Sequence, residues 1–211
     1  MRILTVSPDQ YGRHPNFLKQ MYRLRAAVFG ARLEWDVSVT HGEDRDQCDI
    51  LNPTYILAIA ESGQVAGCVR LLPACGPTML DHTFPQLLQK GSLAPHSGMV
   101  ESSRFCVDTS LASQRDGHGL HLATLTLFAG IIEWSMANGY SEIVTATGLR
   151  FERILTRAGW PIRRLGDPVA IGNTVAVAGS LPADCASFKQ VCPAGYRSIR
   201  QFDSAPVRSA A

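Results

Sequence analysis

VESSRFCVD, Val100 to Asp108, decides how this chain is read. Val100, Phe105, Cys106 and Val107 suit a β-strand, yet Glu101 and Arg104 interrupt them three residues apart. Strand side chains alternate with a period of two, so a regular strand sends these two charges to opposite faces. Burying either one unpaired is too costly. The reason for the pattern must therefore come from the rest of the chain.

The chain has 211 residues, a length that suits one domain with a sizeable core. No repeat, low-complexity block or interdomain linker divides it, so residues 1–211 read as a single domain, with a loose tail over 204–211. Twenty Lys and Arg against eighteen Asp and Glu leave a formal +2, so any basic patch is local. The apolar run from Leu120 to Met136 is broken by Thr124, Thr126, Glu133 and Ser135. It falls short of the ~20 residues of a membrane span and reads as a buried core helix. The opening MRILTV is cut off by Ser7, Pro8 and Asp9, too early for a signal peptide. The six cysteines form no C-x-x-C pair and no zinc spacing. They are expected to be reduced thiols in a cytoplasmic protein.

Outward from the opening strand, the elements alternate. MRILTV is a strand, and Pro15 to Phe29 a helix whose apolar spacing places Arg25 on its partly buried side. Ala31 to Pro53 is irregular and charged. Tyr55–Ala60 and Val65–Leu72 are strands joined by a hairpin at Glu61–Gln64. A loop-rich stretch holds one short helix near Phe84 to Gln89. After the opening strand come a helix over Leu120–Ala137, capped by Asn138-Gly139, and a strand over Ile143–Thr147. A helix over Phe151–Ala158, strands over Ile162–Leu165 and Thr174–Ala178, and a helix over Asp184–Val191 follow. This order predicts an α/β protein, with a mixed sheet covered by helices on both faces.

Charges stand out where their neighbours are apolar. Arg25 lies in RAAVF, Arg70 in GCVRLLP, and Glu101 and Arg104 in the opening strand, with Asp46 and Asp49 in EDRDQCD. Three arginines and three carboxylates in such places predict a partly buried ion network. That network either pins loops to the sheet or builds a site. Trp35 and Phe84, aromatics in loops, either pack or wall a pocket for a small amphipathic ligand. Gln114 to Gly119 fits Q-x-x-G-x-G, the loop with which N-acetyltransferases of the GNAT type hold the pyrophosphate of coenzyme A, although glycines before a helix are frequent. Arg150, Arg153 and Arg157 line one helix face, followed by Arg163 and Arg164. This basic face is either solvated or a dock for an acidic partner. No nucleic-acid motif accompanies it. His118 and His121 lack a third metal ligand, so no metal site is expected.

Together, RLRAAVFGARLEWDV, EDRDQCD, CVRLLPACGPTMLDHTFPQL and VESSRFCVD resemble, in order and spacing, the signature blocks of acyl-homoserine-lactone synthases, the LuxI-type autoinducer synthases. FERILTRAGWP fits the family's C-terminal half, so the resemblance covers nearly the whole chain. The subgroup it most resembles is the TraI type of rhizobia and agrobacteria, tied to conjugal plasmid transfer. The resemblance implies a GNAT-like three-layer αβα sandwich with a mixed, mainly antiparallel sheet. It implies transfer of an acyl group from acyl carrier protein to the amine of S-adenosylmethionine, a substrate, with no separate cofactor. Lactone closure then releases 5′-methylthioadenosine.

Carried over residue by residue, the resemblance implies catalytic roles for Glu101 and Arg104 and an adenosylmethionine pocket of Arg25, Phe29, Trp35, Asp46, Asp49 and Arg70. Phe84, Ser103 and Thr145 fall to the acyl side. Thr145 matches a position where members using 3-oxo-acyl donors carry threonine, which implies a 3-oxo-octanoyl donor. Arg150, Arg153, Arg157, Arg163 and Arg164 then become the dock for acyl carrier protein. GNAT-like folds carry a β-bulge in the strand of VESSRFCVD, and one extra residue resets the alternation. The expectation is an irregularity near Ser102–Arg104, with Glu101 and Arg104 on one side. The Q-x-x-G-x-G match lies outside the family pattern and leaves a general GNAT acyltransferase with an acyl coenzyme A donor as the alternative.

Overall fold

A computed structural model describes residues 1–32, 39–111 and 119–197 of the chain, with residues 31 and 32 described for the backbone alone. Trp35, Gln114–His118 of the glycine-rich loop and the tail from Ser204 to Ala211 lie outside the described residues.

The N-terminal strand β1 (Arg2–Val6) leads to α1 (Pro15–Arg25). The helix expected to reach Phe29 leaves α-geometry earlier, continuing as a π-helical turn over Ala26–Arg32. Such wide turns are rare and, where they occur, frequent at functional sites. The stretch expected to be irregular contains a small ribbon of β2 (Val39–Thr40) and β3 (Glu43–Asp44). The hairpin is present as β4 (Thr54–Ile59) and β5 (Val65–Pro73), turning at Gly63 with φ +82°.

In the excursion that follows, the short helix lies earlier than expected. Thr78 caps α2 (Met79–His82) by accepting the Asp81 amide, and only a 3-10 turn, Pro85–Leu87, occupies the predicted place. Then come β6 (Met99–Val107), α3 (Leu122–Ala137), β7 (Glu142–Gly148) and α4 (Leu149–Arg157). Strand β8 shrinks to Arg163–Arg164, and β9 (Val169–Ile171) is an addition that the sequence reading lacked. The long β10 (Thr174–Pro182) runs on to α5 (Cys185–Val191), which is capped by the Asp184 carboxylate on the Ser187 amide.

The sheet order is β1-β4-β5-β6-β7-β10-β8, with β9 also on β10. Every pairing is antiparallel except β6 with β7. Strand alternation divides the core into two layers. Ile56 and Ala58 of β4 face α3, while Tyr55, Leu57 and Ile59 face α1. Helix α3 is apolar on nearly all sides and largely buried, so it is a core helix rather than an amphipathic cover. Both α3 and α4 end in Schellman caps. Tyr140 N–H reaches Ser135 C=O and Trp160 N–H reaches Leu155 C=O, around Gly139 and Gly159 at positive φ.

Two features of β6 set up the site. First, its pairing with β5 slips: Arg70 lies opposite Ser103 and Cys68 opposite Cys106, so Arg104 and Phe105 share Val69. That is a β-bulge, and Arg104 takes φ +55° within it. Before the slip, Glu101 and Ser103 face the α1 side with Arg70; after it, Cys106 faces that side, while Phe105 and Val107 pack toward α3. Second, β6 pairs with β7 only over Met99–Glu101 against Glu142–Val144. Beyond Glu101 the two strands part.

Candidate active site

The arginines of the network come from three separate elements, two of them mainly apolar strands. Arg25 ends α1 one turn after Tyr22, Arg70 sits mid-β5, and Arg104 stands at the bulge of β6. The acids come from β3 and the tight turn after it. In that turn the Asp49 carboxylate accepts the Asp46 amide at 2.8 Å and the Asp46 carboxylate accepts the Cys48 amide at 2.8 Å. Such side chain-to-backbone bonds fix the two carboxylates before any cation arrives.

Arg25 grips Asp49 with both terminal nitrogens, at 2.8 and 2.9 Å, and gives its Nε to Asp44 at 3.0 Å. Arg70 reaches Asp46 at 2.5 Å and Asp49 at 3.0 Å, and its Nε donates to Ser103 at 3.1 Å. Arg104 meets the other oxygen of Asp46 at 2.8 Å and Asp44 at 3.5 Å. The arginine side chains are 1%, 0% and 7% exposed, so these are buried pairs and not surface ones. Asp44 is the third carboxylate of this set, and the sequence reading passed it over. Its signal was its place two residues before Asp46 in the same acidic run.

The expected third acid, Glu101, stands apart. Its carboxylate accepts the Met79 amide at 3.0 Å and the Leu80 amide at 2.6 Å, at the first turn of α2. Bulge and network together place Glu101 and Arg104 on the same side of β6, because Arg104 and Arg70 share Asp46 and the Arg70 guanidinium binds Ser103, two residues from Glu101.

Burial raises the carboxyl of Glu101 above its ordinary value, and the two amides, Arg70 and Ser103 offset only part of that. For Asp49, burial pushes upward, but Arg25 and then Arg70 hold it well below the usual carboxylate range. Asp46 is lowered likewise, mainly by Arg70 acting against burial.

Where β6 and β7 part, a cleft of about 860 Å³ opens. Phe29, Met79, Phe84, Glu101, Ser103 and Arg104 line one part of it, with the Arg104 guanidinium 5.3 Å over the Phe29 ring. Thr145 lines the opposite wall, its Oγ1 at a marginal 3.5 Å from the Ala146 carbonyl. An apolar end is walled by Phe105, Phe128, Phe151 and Trp160, with ring centroids 4.7 to 5.8 Å apart. Among the described residues no group of three or more His, Cys, Asp or Glu is placed to hold a metal.

The five arginines of the basic face do not act as one. Arg164 is paired with Glu152 at 2.7 Å and Arg163 with Glu142 at 3.0 Å, on β8. Arg150, Arg153 and Arg157 are exposed on α4 and form no ion pair among the described residues. Of these, Arg150 also lines the cleft.

The pattern that defines the family described as autoinducer synthases matches residues 9–191. The chain belongs to the autoinducer synthase family. It is 76% identical, over all 211 residues and the full length of both chains, to an acyl-homoserine-lactone synthase of Agrobacterium fabrum. Its fold matches the crystal structure of the acyl-homoserine-lactone synthase LasI, with a TM-score of 0.77, 34% identity and coverage of 90% of this chain and 93% of that one. It also matches, at TM-score 0.80 and 23% identity, the synthase BjaI, described as coenzyme A-dependent and solved with S-adenosylmethionine and isopentyl coenzyme A. There the coverage is 93% of this chain and 92% of that one. The three-layer sandwich of one sheet between helices is thus GNAT-like, and the chain is an acyl-homoserine-lactone synthase, an acyltransferase of quorum-sensing signal production.

The acid dependence of this synthase follows from its lowered aspartates. Their stabilising contribution is present above the ordinary aspartate pKa of ~3.9 and is lost as pH falls through the depressed folded values. Asp49→Asn leaves two buried guanidiniums short of a partner. It should cost about 3–5 kcal/mol at neutral pH and flatten the fall in stability below pH ~4. Urea unfolding as a function of pH measures both.

Proposed function

We propose that this synthase transfers a medium-chain acyl group, 3-oxo-octanoyl, from acyl carrier protein to the amine of S-adenosylmethionine. The observation that carries this reading is the buried set of three arginines and three aspartates beside a bulge that brings Glu101 and Arg104 to the head of the cleft. A ligand bearing a sulfonium, an amine and a carboxylate needs both signs of charge, already oriented. Arg25, Asp46, Asp49, Arg70 and Arg104, with Phe29, form that pocket in this reading; Trp35, which the family resemblance assigns to it, lies outside the described residues.

The amine attacks the thioester carbonyl only when unprotonated. Glu101 takes its proton, directly or through water; the two amides occupy only some of its lone pairs, and its raised pKa makes it the stronger base. A C–N bond forms, the C–S bond breaks, and the carrier leaves as a thiol. The methionine carboxylate then attacks the carbon next to the sulfonium, closing the lactone and releasing 5′-methylthioadenosine. Phe84 and Ser103 flank the thioester, and Thr145 offers its hydroxyl to the 3-oxo group. The aromatic end of the cleft receives the acyl tail. On the outside, Arg150, Arg153 and Arg157, which form no ion pair among the described residues, supply the positive face for an acidic carrier, while Arg163 and Arg164 are each paired with a glutamate.

A coenzyme A thioester is the second reading for the donor. The Gln114–Gly119 sequence favours it, and BjaI is a synthase described as using that donor.

The deciding assay incubates the protein with S-adenosylmethionine and 3-oxo-octanoyl or octanoyl thioesters of either carrier, following lactone and methylthioadenosine by mass spectrometry. No methylthioadenosine with any donor would sink the proposal. Glu101→Gln should slow acylation by roughly 10²- to 10⁴-fold while adenosylmethionine binding by calorimetry is retained. Thr145→Val should lower the ratio of 3-oxo to unsubstituted product, and an unchanged ratio removes that role. Arg153→Glu with Arg157→Glu should raise KM for the acyl carrier protein donor roughly tenfold or more and leave KM for the coenzyme A donor alone. An equal rise for both donors argues against carrier docking on α4.

A further inference from the structure

One oxygen of Asp49 accepts three donors. Oδ1 takes Arg25 at 2.8 Å, Arg70 at 3.0 Å and the Tyr55 hydroxyl at 2.8 Å. The Tyr55 hydroxyl also lies 3.0 Å from that of Tyr22. A carboxylate only accepts, so the Tyr55 proton points to Asp49 and Tyr22 must donate to Tyr55. Tyr55 stands on β4 directly opposite Arg70, and Tyr22 stands one turn before Arg25 on α1. Both phenols are buried. The relay thus ties to one carboxylate α1, which delivers Arg25, and β4, the strand paired with the β5 that delivers Arg70. At its outer end the Arg45 guanidinium covers the Tyr22 ring at 3.9 Å.

The choice of donor has a reason. Three arginines and three aspartates already balance, so a further cation on Asp49 would leave the set net positive. A phenol adds a further donor to that oxygen without adding charge. Burial, and then the Asp49 charge itself, push the Tyr55 hydroxyl far above the ordinary tyrosine range, so it stays a neutral donor at any working pH.

We infer that Tyr55 is a positioning residue for the cationic substrate, acting through Asp49 on Arg25 and Arg70, with the Tyr22 hydroxyl acting only through Tyr55. This rests on the reading of the ion network as the adenosylmethionine pocket. Tyr55→Phe keeps the ring and removes one hydroxyl. It should raise KM for S-adenosylmethionine roughly fivefold, the scale of one lost hydrogen bond to a charged group acting at one remove. Meanwhile kcat and KM for the acyl donor should stay within about twofold. Tyr22→Phe should have a smaller effect of the same kind, and the double variant should be no worse than Tyr55→Phe, since the substitution keeps the Tyr22 ring that stands 5.3 Å from the Arg25 guanidinium and removes only a hydroxyl that reaches the site through Tyr55.

Equilibrium dialysis with S-adenosylmethionine alone must show the same order of affinities, and a melting curve confirms that each variant is folded. Additive effects of the two tyrosines, or a fall in kcat with KM for adenosylmethionine unchanged, overturn the inference. If Asp49→Asn weakens adenosylmethionine binding and Tyr55→Phe does not, Tyr55 has no positioning role. If both leave that binding intact, it is the reading of the pocket that fails.

Discussion

Arg70 and Arg104 close on the two oxygens of one carboxylate, Asp46. This shared anion explains why β6 breaks its register. Arg70 is fixed in mid-strand, and Asp46 by its own turn. A second guanidinium reaches the free oxygen only from the same face of the sheet. Regular alternation from Glu101 would carry Arg104 away from that face, and the extra residue in β6 brings it back at the cost of a left-handed conformation at Arg104. The same bulge moves Phe105 and Val107 toward α3 and so helps shape the apolar wall of the cleft.

Such a network is a poor device for stability. Taking an ion out of water costs several kcal/mol, and well-packed apolar side chains in the same volume are often neutral or better. Six charges held at low exposure in one layer therefore point to a demand other than folding. They are oriented in advance, each carboxylate bound by more than one cation, so binding a charged ligand requires little reorganisation.

Much of this was legible in the chain. The three-residue spacing of Glu101 and Arg104 posed a conflict that the bulge implied by the family resemblance resolves, and charges set in apolar runs signalled a buried network. The long apolar run of α3, broken by Thr124, Thr126, Glu133 and Ser135, signalled a core helix. Other parts were hidden for definite reasons. Asp44 lies among other charges, so nothing local marks it as buried. Tyr22 and Tyr55 read as ordinary core aromatics, because a hydroxyl's partner 33 residues away leaves no trace in spacing. The partners of Arg163 and Arg164 lie 21 and 12 residues upstream, across a sheet and on a helix, so the basic run looked more uniformly free than it is. The early start of α2 follows from Thr78, whose side chain caps the helix, and from Glu101, which occupies its first amides. That second partner belongs to another strand.

The pairing of β6 with β7 over three residues divides the molecule along a seam. All six charges of the network come from residues 25–104, on the near side of it. Thr145 and part of the cleft's deep wall, Phe151 and Trp160, come from residues 145–160 on the far side, while Phe128 stands on α3, which packs on β4 and β5. Changes in one half need not be compensated in the other. A lineage built on this frame can drift in what its far half accommodates while its near half stays under unbroken constraint. A family of signals that share one head and differ in their tails would diversify by that route.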